Sequence, residues 1–268
     1  MAALDPSTIV AVVGAGTMGA GIAQVAALAG HPVRLHDARP GAAAQAIAGI
    51  QDSLRTLAAR GKLDAGLAQA AGQALSPADD LAGLAGCGLV VEAIVERLDA
   101  KTALFGALEG IVAPDCLLAT NTSSIPVTAI GAGLRHPERL GGMHFFNPAP
   151  RMPLVEIVSG LDTDPATARA LSDTAAAWGK TPVSARSTPG FIVNRVARPF
   201  YAEGLRLLQE QVLDPATLDH IMRACGGFRM GPCELTDLIG QDVNAAVSRS
   251  VWTAFHHAPR FEPSMLQQ

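Results

Sequence analysis

Five apolar, β-favouring residues stand in succession at 9–13 (Ile-Val-Ala-Val-Val), entered from the polar Asp5-Pro6-Ser7-Thr8 and ended by Gly14. An unbroken run of that length predicts a strand covered on both faces. The spacing then changes: from Thr17 onward Met18, Ile22, Val25, Ala26 and Leu28 share one helical face, and Gly30 supplies a stop. Residues 33–37 predict a second strand that ends in Asp37, 41–60 a long helix leaving at Gly61, 88–94 a buried strand and 98–108 a further helix. Strands at 116–121 and 140–146 keep up the alternation. The class this predicts is α/β, a mostly parallel sheet with helices on both faces.

Beyond Thr188-Pro189-Gly190 the β-type runs stop and helical ones follow at 191–211, at 215–224 and in one stretch from 234 toward 255. Asp214 reads as the N-cap of the middle helix, with Pro215 at its first helical position. The change places a domain boundary in the turn from Ser187 to Pro189, giving 1–187 to the α/β domain and 188–268 to a smaller all-helical one. Ile192, Val196, Phe200, Leu207 and Leu208 are expected to be core or subunit contact.

The first strand leads into Gly14-Ala15-Gly16-Thr17-Met18-Gly19, a G-x-G-x-x-G motif that opens a helix. In that setting the glycines allow a tight turn, close approach of a pyrophosphate to backbone N–H groups, and close packing of helix on sheet. The helix N-terminus favours the phosphates. Asp37 closes the second strand, where a carboxylate accepts both ribose hydroxyls and repels a 2′-phosphate. The reading is a Rossmann-like domain that binds NAD in preference to NADP.

A second chemical signal is Gly141-Gly142-Met143-His144-Phe145-Phe146-Asn147-Pro148, followed by Pro153-Leu154-Val155-Glu156-Ile157-Val158. The connector is too rich in proline to continue a helix or a strand. If the chain folds back about Pro150, His144 and Glu156 stand six residues on either side and meet across two antiparallel strands. An imidazole titrates near operating pH and suits a general base; a carboxylate behind it fixes its tautomer and stabilises the imidazolium.

Composition narrows the partners. The net charge of −4 and the absence of a basic run with interleaved aromatics give no footprint for nucleic acid. No apolar run has the length to cross a bilayer, and Met1-Ala2-Ala3-Leu4-Asp5-Pro6 lacks the basic start and apolar core of a leader, so a cytoplasmic location is expected. Cys87, Cys116, Cys225 and Cys233 form no CxxC pair and no metal-spaced cluster with histidine. They read as reduced, buried thiols, and no metal is expected.

Five segments, in order and spacing, resemble the L-3-hydroxyacyl-CoA dehydrogenase family over nearly the full chain. They are 12–24 (VVGAGTMGAGIAQ), 90–96 (VVEAIVE), 121–124 (NTSS), 144–148 (HFFNP) and 189–195 (PGFIVNR). Within the family, the tracts at 194–201 and 234–244 look most like the bacterial 3-hydroxyadipyl-CoA dehydrogenases of phenylacetate breakdown. The resemblance implies an acyl-CoA thioester substrate, NAD as cofactor, His144 as catalytic base with Glu156 as its partner, and Ser123 and Asn194 binding the reacting end of the substrate. It further implies that Glu96, Lys101, Ser123 and Asn147 lie on the nicotinamide side and that Ser53 and Arg60 hold coenzyme A, the arginine standing where the family has a lysine. A homodimer through the helical domain is implied as well. Family members usually continue past the position of Gln268 into a Gly-Arg-Lys-Thr-Gly-rich segment, so the helical domain is expected to be cut short here. Two other readings keep the fold: a dehydrogenase of free hydroxy acids of the gulonate type, and a non-catalytic NAD-binding structural protein.

Overall fold

Strand β1 (Val10–Val13), wholly buried, begins an eight-stranded sheet in this computed structural model, which describes residues 3–267. Helix α1 (Thr17–Leu28), strand β2 (Val33–His36), helices α2 (Ala42–Ala59) and α3 (Ala65–Gln73), and strand β3 (Leu75–Pro77) follow. Next come β4 (Leu89–Glu92), α4 (Leu98–Glu109), β5 (Leu117–Thr120), α5 (Val127–Gly131), β6 (Leu140–Phe145), β7 (Leu154–Ser159), α6 (Pro165–Ala177) and β8 (Thr181–Arg186). The strands lie in the order β3-β2-β1-β4-β5-β6-β7-β8. Every neighbouring pair is parallel except β6 and β7.

Order reverses beside β1, with β2 on one side and β4 on the other, which opens a crevice at the carboxyl ends of the strands. The core that supports this crevice joins Val10, Val12 and Leu35 of the sheet to Ile22 and Val25 of α1, and continues through Met143, Phe145 and Ile157. Burying each such side chain contributes roughly 1.5–3 kcal/mol.

Four elements leave little trace in the sequence. Helix α3 and strand β3 fill the interval between the long helix and β4, and α6 and β8 the one before Ser187. Strand β3 is three residues, Leu-Ser-Pro, and its proline is tolerated because β3 is an edge strand. Strand β8 is the other edge, mostly exposed, and so carries no apolar run.

The chain divides into two compact units between Ser187 and Thr188. The second holds α7 (Val193–Gln209), α8 (Pro215–Ala224), α9 (Pro232–Ile239) and α10 (Gln241–Ala254). Asp214 caps α8 by accepting from the Thr217 N–H at 3.0 Å. Asp219, buried on α8, accepts from the Cys233 and Glu234 N–H groups and so caps α9 from a neighbouring helix.

Three expectations need correction. The single helix from 234 toward 255 is two, because Gly240 at φ +98° takes a left-handed conformation that ends α9 and starts α10. Of the two roles expected for Ile192 and Val196, core or subunit contact, core does not hold: α7 buries the face carrying Arg198, Tyr201, Ala202 and Leu205, leaving Val196 69% exposed. Cys225 is exposed, since it follows the last turn of α8 rather than facing a core. Among the described residues no helix is long and apolar enough to cross a membrane.

Candidate active site

The glycine motif turns the chain from β1 into α1, and each glycine has its own physical reason. Gly14 sits at φ +107°, and a β-carbon there would lie 2.4 Å from the Ala93 carbonyl oxygen. Gly19 packs on the same turn, where a β-carbon would lie 1.7 Å from the Gly14 oxygen. Gly16 faces open space, with no atom within 4 Å of its β-carbon position. It is the N-cap of α1, and the helix has neither a side-chain cap nor an acid in its first turn. The positive end of α1 is therefore left for an anion.

Asp37 stands just past β2 and edges this loop. Its Oδ2 accepts from the Ala15 N–H at 2.8 Å, and its Oδ1 accepts from the N–H and Nε of Arg39. Burial alone would raise its carboxyl, but the Ala15 and Arg39 N–H groups and the Arg39 charge outweigh that and hold it below the usual value. An uncapped helix end, an open glycine and an ionised acid after the second strand fit a dinucleotide with two free ribose hydroxyls.

Strands β6 and β7 pair antiparallel with His144 directly opposite Glu156. The His144 Nδ1 lies 2.6 Å from Glu156 Oε2, with the histidine side chain 7% exposed and the glutamate side chain 1%. Against an ionised carboxylate, which only accepts, Nδ1 is the donor, and in that tautomer of the neutral ring the acceptor is Nε2. The Phe146 ring packs against the imidazole at 4.5 Å between centroids. Asn121 Oδ1 accepts from the Phe145 N–H at 2.8 Å and ties the end of β6 to the end of β5. Lys180 Nζ donates to the carbonyls of Ala149 and Met152, fixing the proline-rich return.

A third group joins Glu96, Lys101 and Ser123 through residues that sequence reasoning passed over. Glu92, wholly buried at the end of β4, accepts from Lys101 Nζ at 2.6 Å, the Ile94 N–H at 2.7 Å and the Thr120 hydroxyl at 2.7 Å. The signal was available: an acid closing the apolar run Val90-Val91 needs partners if it is buried. Lys101, 1% exposed, also lies 3.2 Å from Glu96 Oε2. Glu96 Oε1 in turn accepts from the Thr122 hydroxyl at 2.6 Å and the Ser123 N–H at 2.9 Å. Its carboxyl is pushed up by burial, yet held below the usual value by the Lys101 charge, the Thr122 hydroxyl and the Ser123 N–H.

That direction has a thermodynamic consequence. A folded-state value below the unfolded one adds stability that is complete above the ordinary glutamate pKa of about 4.3 and is lost as pH falls through the lower folded value. The melting-temperature gap between wild type and Glu96→Gln should therefore shrink as melts descend from about pH 6 to about pH 3. A gap that stays constant would reject this account of the Glu96 carboxylate.

The remaining residues lie elsewhere. Ser53, on α2, and Arg60, its C-cap, are both exposed and stand seven residues apart, two turns along the helix. The groove between α2 and α3 is lined by Gln51, Arg55 and Ala58. Asn147 is exposed just beyond β6, at a cis bond to Pro148, and Asn194 occupies the first turn of α7 in the helical unit.

A family model described as the NAD-binding domain of 3-hydroxyacyl-CoA dehydrogenase matches residues 9–188, and one described as the C-terminal domain of the same enzyme matches 190–268. The 3-hydroxyadipyl-CoA dehydrogenase of Escherichia coli is 53% identical over 97% of this chain, which spans 54% of that protein. A crystal structure titled 3-hydroxybutyryl-CoA dehydrogenase from Escherichia coli superposes with a TM-score of 0.96 at 53% identity, covering 99% of this chain and 56% of that one. The (S)-3-hydroxybutyryl-CoA dehydrogenase of Ralstonia eutropha superposes at 0.93 with 35% identity, covering 97% of this chain and 92% of that one. The chain thus spans about half the length of its Escherichia coli relatives and nearly all of the Ralstonia one. With both domain models matched in order along it, this chain belongs to the 3-hydroxyacyl-CoA dehydrogenase family.

Proposed function

We propose that this chain oxidises (S)-3-hydroxyacyl-CoA thioesters to 3-oxoacyl-CoA, with NAD as hydride acceptor and His144 as general base. The observation that carries the reading is the buried hydrogen bond between His144 and Glu156, near the end of a strand whose carboxyl end lies on the same edge of the sheet as the crevice of an NAD-binding domain. When bound, the nicotinamide accepts the hydride that leaves the hydroxyl-bearing carbon. His144 takes the hydroxyl proton at Nε2, and Glu156 stabilises the resulting imidazolium through Nδ1. Ser123 and Asn194 donate to the substrate oxygens as charge develops, without a net charge that would disturb the imidazole. Glu96 holds the Ser123 turn in place. The uncapped end of α1 binds the pyrophosphate, Asp37 the ribose, and Glu96, Lys101 and Asn147 line the nicotinamide side.

The Escherichia coli relative's name favours 3-hydroxyadipyl-CoA as substrate, and the tracts at 194–201 and 234–244 favour phenylacetate breakdown as the setting. Exposed Val196, Leu238 and Val243 on α7, α9 and α10 support a homodimer through the helical unit. Absorbance of NADH followed against acetoacetyl-CoA and 3-oxoadipyl-CoA tests the reaction. Binding of NADH with no consumption on either thioester sinks the reading.

Asp37→Ala should narrow the preference for NAD over NADP. Hydrogen bonds to a charged group are worth about 1.5–3 kcal/mol, so kcat/KM with NAD should fall about tenfold to a hundredfold while that with NADP holds or rises. An unchanged ratio rejects the ribose assignment.

A further inference from the structure

The helical unit buries a cation that the chemistry above does not use. Arg198, 5% exposed on α7, donates from Nη1 to the Asn244 side-chain oxygen at 2.5 Å, to the Asn244 carbonyl at 3.2 Å and to the Ser248 hydroxyl at 3.3 Å. Its guanidinium also lies 4.6 Å from the centre of the Tyr201 ring. None of these partners is an acid. Two donors here, Arg198 Nε and Asn244 Nδ2, are buried with no acceptor among the described residues.

Taking a guanidinium out of water costs several kcal/mol unless an anion and a full set of hydrogen bonds offset it. A tie between α7 and α10 alone does not need a charge, since a methionine or leucine would fill the same space without that cost. Asn244 holds the guanidinium through Nη1, and a carboxylate on the other side, facing the orphaned Nε–H, would answer that donor and restore charge balance. Burial lowers the Arg198 pKa, with nearby Tyr201 opposing the shift, which is the direction of a cation held without a counter-ion.

Position along α7 points to the source of that carboxylate. Asn194, Arg198 and Tyr201 follow one another at the spacing of a single helical face, and Arg198 lies just over one turn, roughly 6 Å of axial rise, beyond Asn194. In a six-carbon dicarboxylic acyl chain the distal carboxylate is three bonds past the hydroxyl-bearing carbon. We propose that Arg198, with Asn244, binds the distal carboxylate of a dicarboxylic acyl thioester and selects it over a monocarboxylic chain of equal length. This rests on the dehydrogenase reading only in taking Asn194 to mark the reacting end.

The test reads binding rather than turnover, so that it stands apart from the NADH assay. Calorimetry on the chain with NAD compares adipoyl-CoA with hexanoyl-CoA, which differ by the carboxylate alone. Adipoyl-CoA should bind at least about tenfold tighter, as a charge-assisted pair requires. Arg198→Met should weaken adipoyl-CoA at least about tenfold more than hexanoyl-CoA, which erases the preference. Asn244→Asp places an internal carboxylate against Arg198, so it should raise the melting temperature and erase the preference together. Equal binding of the two thioesters by wild type overturns the proposal. So does an equal weakening of both by Arg198→Met, or a preference that survives in Asn244→Asp.

Discussion

Replacing His144 with asparagine is expected to lower turnover of 3-hydroxyacyl thioesters by roughly 10²–10⁴-fold, the usual worth of a positioned general base, equal to about 3–5 kcal/mol of barrier. Affinity for NADH, read by fluorescence titration, should stay within about threefold, because the glycine loop and Asp37 follow β1 and β2, and β4 and β5 lie between β1 and the β6 strand that carries His144. Asparagine keeps a neutral polar group opposite Glu156 and spares the buried acid a purely apolar neighbour. Glu156→Gln should cost a comparable factor, since an amide no longer selects the Nδ1–H tautomer or offsets the imidazolium charge. The double variant should be hardly slower than the worse single one, because two residues acting through one proton transfer are not additive. Loss of NADH binding in step with turnover would show that His144 mainly supports the sheet. Additive losses would show that the two residues do not act as a pair.

The dyad was legible because strand pairing is arithmetic. Six residues on either side of Pro150 put both side chains on one face once the chain reverses, and the observed register sets His144 against Glu156. The first strand, the glycine turn and Asp37 were legible for a similar reason: local rules of burial, backbone freedom and spacing all agree over 9–37. Edge strands β3 and β8 were not, since a strand that is exposed or three residues long has no hydrophobic period to read. The break at Gly240 hides inside a helical period that continues on both sides of it. The partners of Glu92 and Arg198 come from residues as far apart as Thr120 and Ser248, and spacing along the chain carries no record of such contacts.

The site residues of the first unit collect where the fold has its free carboxyl ends. Asp37 follows β2, Glu92 ends β4, Asn121 through Ser123 follow β5, and His144 is next to last in β6. Parallel neighbours bring these ends to one edge of the sheet, and β7, running the other way, supplies Glu156 from mid-strand. Each acid is held differently. Asp37 is fixed by backbone N–H groups, Glu96 by a lysine and a hydroxyl turn, and Glu156 by the imidazole opposite it.

Gly19→Ala should be the most damaging single methyl group in the chain. Its β-carbon would lie 1.7 Å from the Gly14 oxygen, 2.9 Å from the Gly14 carbonyl carbon and 3.5 Å from Val12 Cγ1. No rotamer relieves a clash made by a β-carbon with backbone, so α1 must move off β1 or the turn must open. Overpacking of this kind costs about 1–3 kcal/mol or more, which lowers the melting temperature by roughly 2–12 °C in a chain of this size. Either movement also spoils the N–H cradle, so NADH affinity should fall at least about a hundredfold. Gly16→Ala separates the two effects, because its β-carbon meets no protein atom within 4 Å. There the melting temperature should hold within about 2 °C while NADH affinity still falls about tenfold or more, the methyl group standing in the space assigned to the pyrophosphate. A Gly19→Ala protein with wild-type stability and affinity would refute the packing argument. A Gly16→Ala protein that binds NADH normally would refute the phosphate site.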